Sequence, residues 1–257
     1  MSTFLFSEII FGPVKSRRLG VSLGVNLLPT DYKFCTFNCV YCECGWTLKA
    51  DKKINLPSRE EVKTELEKVL QEYSDQGKEI NSITFAGNGE PTIHPAFADV
   101  IDDTIELRNM WMPEAQIAVL SNASMLNKVS VTNALKKIDK NILKLDAGTE
   151  KTYRLINQAQ EHLKFDKIVN YLKSFDGNLI IQTLFLKGEN EGNKFDNTTE
   201  EEVKAWLQLV KEIQPESVML YPIERDTPTQ GLSKTDQDVL NHIASQVEEL
   251  GIATEVY

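Results

Sequence analysis

The chain has 257 residues, 41% of them hydrophobic and 26% charged, with a formal net charge of −10 at pH 7. That composition excludes a disordered or collagen-like chain, and the length suffices for a sizeable core, either as two small domains or as one α/β barrel, a fold that typically runs about 250 residues. No apolar run approaches the ~20 residues that span a bilayer, and residues 1–10 carry Glu8 and no basic flank, so the expectation is a soluble, cytoplasmic protein without a membrane partner.

Strand-like and helix-like segments alternate in chain order. Residues 21–28 form a short apolar run. Ser58-Arg59-Glu60-Glu61 has the capping-box pattern and is followed by Val62, Leu66, Val69 and Tyr73 at helical spacing. Then come a strand over 80–86, a helix over 95–107, a strand over 116–120, a helix over 125–138 and a strand over 141–146. Short helices over 149–156 and 165–175 precede a strand over 178–186. Residues 187–198 read as a surface loop. Thr199-Glu200-Glu201-Glu202 is a second capping box, opening a helix with Val203, Trp206, Leu207 and Val210 on one face. A strand over 217–223, a helix over 233–250 ended by Gly251, and a last short strand over 252–256 complete the series. Six βα units in a row imply a mainly parallel sheet, and six are too few for a closed eight-stranded barrel. The predicted fold is therefore α/β: an open, partial (βα)6 TIM-like barrel. With no low-complexity linker, internal repeat or composition break, residues 1–257 are assigned to a single domain.

Charge is distributed unevenly. Residues 1–54 hold seven basic side chains (Lys15, Arg17, Arg18, Lys33, Lys49, Lys52 and Lys53) and four acidic ones (Glu8, Asp31, Glu43 and Asp51). The whole chain lacks the basic field that non-specific nucleic-acid binding needs, while its N-terminal segment leaves room for a local anionic contact. The adjacent Arg17 and Arg18 suggest a phosphate or carboxylate contact; a solvated basic turn is the alternative.

All four cysteines lie between positions 35 and 44, too close for a disulfide framework and consistent with a metal site. The loop reads Cys35-Thr36-Phe37-Asn38-Cys39-Val40-Tyr41-Cys42, a C-x3-C-x2-C spacing that follows the first strand. Zinc usually takes four ligands in two separated pairs, and no second pair exists here. Three thiolates can hold three irons of a 4Fe–4S cluster and leave the fourth open to a ligand. A zinc loop remains the alternative.

Active residues of a βα barrel gather at the C-terminal strand ends. Ala86-Gly87-Asn88-Gly89-Glu90-Pro91-Thr92 follows the second strand, and Ser121-Asn122-Ala123-Ser124 follows the third. On the fourth, Lys144 and Asp146 share a face opposite Leu143 and Leu145, and if those leucines pack on the helices the two charges point into the barrel. Buried opposite charges are costly unless paired or used, which makes both candidates for catalytic contacts with cofactor or substrate; a structural ion pair is the alternative. Gln182 on the fifth strand is a candidate for a ribose or substrate contact. The sixth strand ends in Tyr221-Pro222-Ile223-Glu224-Arg225-Asp226-Thr227-Pro228, with Arg225 and Asp226 at the mouth.

The cysteine spacing, with the aromatic Tyr41 before the last cysteine, resembles the radical S-adenosylmethionine (SAM) superfamily. Gly87-Asn88-Gly89-Glu90-Pro91 resembles that family's Gly-Gly-Glu-Pro motif with Asn88 inserted. The resemblance implies a radical SAM enzyme. Cys35, Cys39 and Cys42 would hold a 4Fe–4S cluster whose open iron binds the amino and carboxylate groups of SAM. One electron from the reduced cluster, supplied by a flavodoxin- or ferredoxin-type donor, would cleave SAM to a 5′-deoxyadenosyl radical that abstracts hydrogen from substrate. By the same resemblance Tyr41 and the backbone near Tyr221 would meet the adenine. Gly87, Asn88, Gly89 and Glu90 would receive the SAM ammonium, and Ser121 and Asn122 the ribose or carboxylate. Cys44 is left over, as a redox thiol, a hydrogen donor or a mere neighbour.

Together with Ser16-Arg17-Arg18-Leu19-Gly20 and Arg225-Asp226-Thr227-Pro228, these motifs look like the small bacterial members grouped with the wyosine-forming tRNA-modifying enzymes. Those enzymes carry a second cluster, for which this chain lacks cysteines. A tRNA substrate is therefore one expectation. A protein-radical activase or peptide modifier with a polypeptide partner is a second, and a non-catalytic iron–sulfur protein a third.

Overall fold

In the main sheet of the described residues seven strands run parallel and one edge strand runs in the opposite sense. The computed structural model describes residues 4–47 and 54–257. Lys49, Asp51, Lys52 and Lys53 of the N-terminal charge tally and the first three residues lie outside the described residues. The elements are β1 (Ile10–Ser16), β2 (Gly20–Val25), α1 (Arg59–Asp75), β3 (Ser82–Phe85), α2 (Phe97–Trp111), β4 (Gln116–Ser121), α3 (Val129–Leu135), β5 (Lys140–Lys144), α4 (Glu150–Asn157) and α5 (Phe165–Lys173). They continue with β6 (Ile180–Leu184), β7 (Leu186–Asn190), β8 (Asn193–Asp196), α6 (Glu200–Ile213), β9 (Ser217–Tyr221), β10 (Ser233–Lys234), α7 (Gln237–Glu248) and β11 (Ala253–Val256). The main sheet has the order β1-β2-β3-β4-β5-β6-β9-β11, with only the β1–β2 pair antiparallel. β1 and β11 are its edges, so the barrel is open, as the six βα units predict.

Side-chain alternation builds two cores. Ile117 and Val119 of β4 and Leu143 of β5 join the large cluster that also takes Val62 and Leu66 of α1 and Val203 and Trp206 of α6. The residues between them face the other way. Ala118, Ile142, Ile180 and Met219, one from each of β4, β5, β6 and β9, form a small second cluster, with Leu19, Leu120 and Tyr257 packed on it. This second cluster fills part of the barrel interior. What lies above it on the same face, Leu120, Lys144, Gln182 and Tyr221, is available to a site.

Three local departures from the sequence reading have physical causes. Residues 187–198 are a hairpin of β7 and β8, paired with β10 in a separate three-stranded sheet. Its turn residues Glu191 and Gly192 both have positive φ, the geometry of a two-residue hairpin turn, and Phe195 is buried beneath it. The helix expected over 125–138 forms only over Val129–Leu135; Ala123 at φ 65° turns the chain, and Ser124 bonds Thr36 instead of capping. In the second capping box Thr199 caps α6, but the Glu202 side chain accepts from Gly148 N (3.0 Å) and the hydroxyls of Thr149 and Thr152, tying α6 to the loop after β5. The first box, Ser58 with Glu61, forms reciprocally.

On the outer layer Asp103 of α2 receives Arg59 Nε at 2.6 Å, Arg59 Nη2 at 3.0 Å and Lys63 Nζ at 3.2 Å from α1. The Arg59 hydrogen bonds hold its carboxyl below the ordinary aspartate range. A lowered folded value means the stabilisation is complete above the unfolded value of about 3.9 and is lost as pH falls through the folded one. Arg59 and Lys63 face solvent, which screens the pair. Asp103→Asn is expected to cost about 1 kcal/mol in urea denaturation at pH 7, with the difference from the parent shrinking below pH 4.

Candidate active site

β2 leads through residues 26–34 into the cysteine loop, and the loop is fastened at its start and in its middle. At its start, Phe34 N donates to Asn88 O (2.8 Å) and Glu90 N donates to Phe34 O (3.2 Å), a parallel bridge that brings the Gly87–Pro91 segment against the cysteines. A Cβ at Gly89 (φ 144°) would stand 1.9 Å from Phe34 O, and one at Gly87 (φ 143°) would stand 2.4 Å from Asn26 Oδ1, so both positions admit only glycine. Further along, Asn38 N donates to Asn157 O (3.1 Å) and Val40 N to Ile156 O (2.9 Å), so the end of α4 holds the middle of the loop.

Cys35, Cys39, Cys42 and Cys44 line one cavity of about 510 Å³, within the range of small-ligand sites. Its wall also includes Gly87, Gly89, Glu90, Ser121, Asn122 and Tyr41. Lys144, Gln182 and Tyr221 line the same cavity from the strands across the barrel. Burial pushes the Cys35 thiol up to about 12 and raises Cys39, whereas the hydrogen bond from Cys44 and the nearby Lys33 ammonium bring Cys42 down to about 5. Lys33 is 2% exposed and donates to Gly45 O at 2.9 Å. Burial would lower its pKa, but the three cysteines outweigh that and raise it. Cys44 Sγ donates to Gly87 O at 3.4 Å.

Whether this donor set fits a cluster is decided by its arrangement. Among the described residues no three His, Cys, Asp or Glu side chains gather as a single metal ion would require. The irons of a cluster each take their own thiolate, so three thiols spread around one cavity suit it, and the buried Lys33 opposes their negative charge. The residues fit the 4Fe–4S group.

Glu90 is buried and caps the short 3-10 turn Pro91–Ile93. Its carboxylate accepts from Thr92 N (3.1 Å), Ser121 Oγ (2.8 Å) and Asn122 N (2.6 Å), and from the Thr92 hydroxyl. Burial nonetheless raises its pKa. Ser121 is thus committed to Glu90. Asn122 Nδ2 reaches Thr36 Oγ1 (3.0 Å) and Cys35 Sγ (3.5 Å), so this asparagine touches a cysteine of the loop.

Two predicted residues have side chains placed elsewhere. The Asn88 side chain turns out of the cavity: Nδ2 donates to Phe6 O (2.9 Å) and Pro29 O (2.8 Å), and Oδ1 accepts from Phe6 N (2.9 Å). Asp146 lies behind the cavity wall at 2% exposure. Its Oδ2 accepts from the Tyr41 hydroxyl and from Asn157 Nδ2 (2.6 Å), and Oδ1 accepts from Leu184 N (3.0 Å). Lys144 Nζ stands 3.6 Å from Asp146 Oδ2 and donates to Tyr221 Oη at 3.1 Å. Burial would lower the Lys144 pKa; the Asp146 carboxylate and Tyr221 outweigh it and hold the ammonium charged. Lys144 and Asp146 therefore do share a face, as alternation predicts, but only the lysine reaches the cavity.

Lys33 and Asn157 escaped the sequence reading. Lys33 stands two residues before Cys35, a signal that was available. Asn157 Nδ2 touches Cys39 Sγ (3.5 Å) as well as Asp146, and nothing in the local pattern at a helix end marks it.

Residues 30–199, about two thirds of the sequence, match the radical SAM superfamily, and the chain belongs to that superfamily. Among curated relatives, a protein named GTPase Obg from Brachyspira hyodysenteriae is 32% identical over 87% of this chain and 31% of its own length. A UPF0026 protein from Methanocaldococcus jannaschii is 31% identical over 82% of this chain and 62% of its own length. The chain thus spans under a third of the first relative and less than two thirds of the second. It contains no G-x-x-x-x-G-K-[ST] phosphate loop, so the GTPase name is not carried over. In solved structures the fold is similar to a radical SAM methyltransferase from Sphaerobacter thermophilus (TM-score 0.67, 13% identity, 92% of this chain and 65% of that one). It is also similar to Streptococcus suis SuiB bound to S-adenosylmethionine (TM-score 0.61, 14% identity, 91% of this chain and 45% of that one). An archaeal TYW1 has a TM-score of 0.56 at 14% identity, over 89% of this chain and 71% of that one. At these identities the likeness is one of fold, a partial barrel.

Proposed function

We propose that the chain is a one-domain enzyme in which Cys35, Cys39 and Cys42 hold a 4Fe–4S cluster and the adjoining cavity receives SAM. The observation that carries this reading is the meeting of two motifs, distant in sequence, on one cavity: the three thiols and the Gly87-Asn88-Gly89-Glu90-Pro91 segment. The bound cluster, reduced by a flavodoxin- or ferredoxin-type donor, would supply the electron that cleaves SAM to methionine and the 5′-deoxyadenosyl radical. Gly87 and Gly89, lacking side chains, let backbone carbonyls approach the SAM ammonium, and the Glu90 carboxylate adds negative charge there. Asn122 meets the SAM carboxylate or ribose from the β4 end. Ser121 does so only by giving up its bond to Glu90. Tyr41 would pack near the adenine while its hydroxyl stays on Asp146, and the backbone near Tyr221 would meet the adenine as well. Asn88 and Asp146 are positioning residues in this reading. Lys144 is the catalytic candidate that reaches the cavity.

A tRNA substrate is weakly supported. Two of the cations at the mouth face carboxylates, Arg17 facing Glu224 at 3.7 Å and Arg225 facing Glu43 at 2.8 Å, which reduces the field offered to a phosphate backbone.

The test is made without oxygen: the protein is reconstituted with iron and sulfide, reduced and given SAM, and 5′-deoxyadenosine is quantified. Formation above a Cys42→Ala control is the expected result. A complete cluster without 5′-deoxyadenosine, under two different reductants, would leave a non-catalytic iron–sulfur protein.

A further inference from the structure

Next to the proposed SAM site is a set of hydrogen-bond donors that no residue among those described satisfies. Arg18 lies between β1 and β2, and its guanidinium rests 4.8 Å from the Tyr221 ring centroid and 6.0 Å from that of Tyr257. Its Nη1 is buried without a hydrogen-bond partner. Among the described residues no carboxylate pairs with it, in contrast to Arg17 and Arg225. Gln182, 5% exposed, is in the same condition: Nε2 is buried and unpartnered. The engaged end of its amide is the oxygen. Lys144 Nζ donates to Tyr221 Oη (3.1 Å), so the Tyr221 hydroxyl proton goes on to Gln182 Oε1 (3.4 Å) and leaves the Nε2 hydrogens free. Lys144 itself has three protons, of which one goes to Tyr221, with Asp146 as an ion-pair partner at 3.6 Å.

These donors converge in space. Arg18 and Gln182 line both the 510 Å³ cavity and a second, neighbouring one of about 140 Å³, whereas the cysteines line only the first. The hydroxyls that also face inward are already spent on one another, Ser22 with Thr84 at 2.7 Å and Thr84 with Ser82 at 3.3 Å. The surplus is therefore all donors, with one uncompensated guanidinium charge among them. A neutral acceptor would satisfy the donors and leave the charge; an oxyanion satisfies both.

We propose that Arg18, Gln182 and Lys144 form an oxyanion subsite that holds a carboxylate or phosphate group of the substrate, making that substrate a small organic anion. The word substrate rests on the radical SAM reading. In that reading the carboxylate of SAM is taken by the open iron at the cysteine end, which leaves the substrate as the source of the anion.

The test is calorimetric titration with inorganic phosphate and, separately, with acetate, on the protein before and after cluster reconstitution. One anion per chain is expected to bind saturably in both preparations, and Arg18→Gln to weaken it by at least ~10-fold. Gln182→Met, which removes the free donor at similar volume, is expected to weaken it less, and gives an independent reading should Arg18→Gln not fold. Tighter binding of phosphate or of acetate names the group the substrate carries. Absence of saturable binding of both anions to the parent protein would overturn the proposal, as would unchanged anion affinity in both variants. It would also be overturned if Arg18→Gln weakened SAM tenfold and left the anions alone, because the donors would then serve the SAM carboxylate. Because the anion titration requires neither cluster nor SAM cleavage, its failure and that of the radical SAM reading are separately visible.

Discussion

Replacing Cys35, Cys39 or Cys42 with alanine is expected to bring iron and sulfide in the reconstituted protein down to background, and 5′-deoxyadenosine with them, while Cys44→Ala keeps the cluster. Each of the three thiols faces the common cavity, and without one of them an iron has no protein ligand. The Cys44 thiol faces the cavity too, but it is engaged with Gly87 O. Its loss removes a contact and no ligand. Iron and sulfide analysis with absorption and electron paramagnetic resonance spectra checks all four variants. If Cys44→Ala alone lost the iron, the ligand set would be wrong.

The largest loss of stability is expected from Asp146→Ala. The carboxylate is the counter-charge for Lys144 and accepts hydrogen bonds from Tyr41, Asn157 and the Leu184 amide. Removing it leaves a buried ammonium uncompensated and three buried donors short of an acceptor. Breaking a buried pair in this way costs about 3–5 kcal/mol, most of it from the stranded charge. Urea denaturation at neutral pH reads the loss. Adding Lys144→Met to the Asp146→Ala protein is expected to recover part of it, because the stranded cation is gone. A loss below about 1 kcal/mol in the single variant would mean that water or a shifted side chain replaces the carboxylate.

The sheet was legible because its strands are buried on both faces and bounded by turn residues, and because capping at Ser58 and Thr199 marks where helices start. β1 was not legible: Gly12, Pro13, Lys15 and Ser16 carry no apolar alternation, and the strand exists through its pairing with β2. The β7–β8 hairpin was missed because Asn190-Glu191-Gly192-Asn193 is a turn signal flanked by charged residues. In the site, spacing exposed the cysteines and glycines, since both must come from short contiguous segments. Alternation put Lys144 and Asp146 on one face but could not say that the cavity stops between them. Asn88 and Asn157 illustrate the limit: an asparagine declares that it will make hydrogen bonds and leaves its partners to the tertiary structure.

The Asn88 clamp on Phe6 bears on the order in which the molecule is assembled. It joins residues 82 positions apart by two hydrogen bonds, and both Phe4 and Phe6 belong to the cavity wall. A loop of that length closes only against a loss of chain entropy that two hydrogen bonds recover poorly until β3 and the turn after it already exist. The segment around Phe6 is thus expected to be among the last to settle. The cysteine loop, anchored by Phe34 on the same turn, can be in place while the N-terminal side of its cavity still stands open.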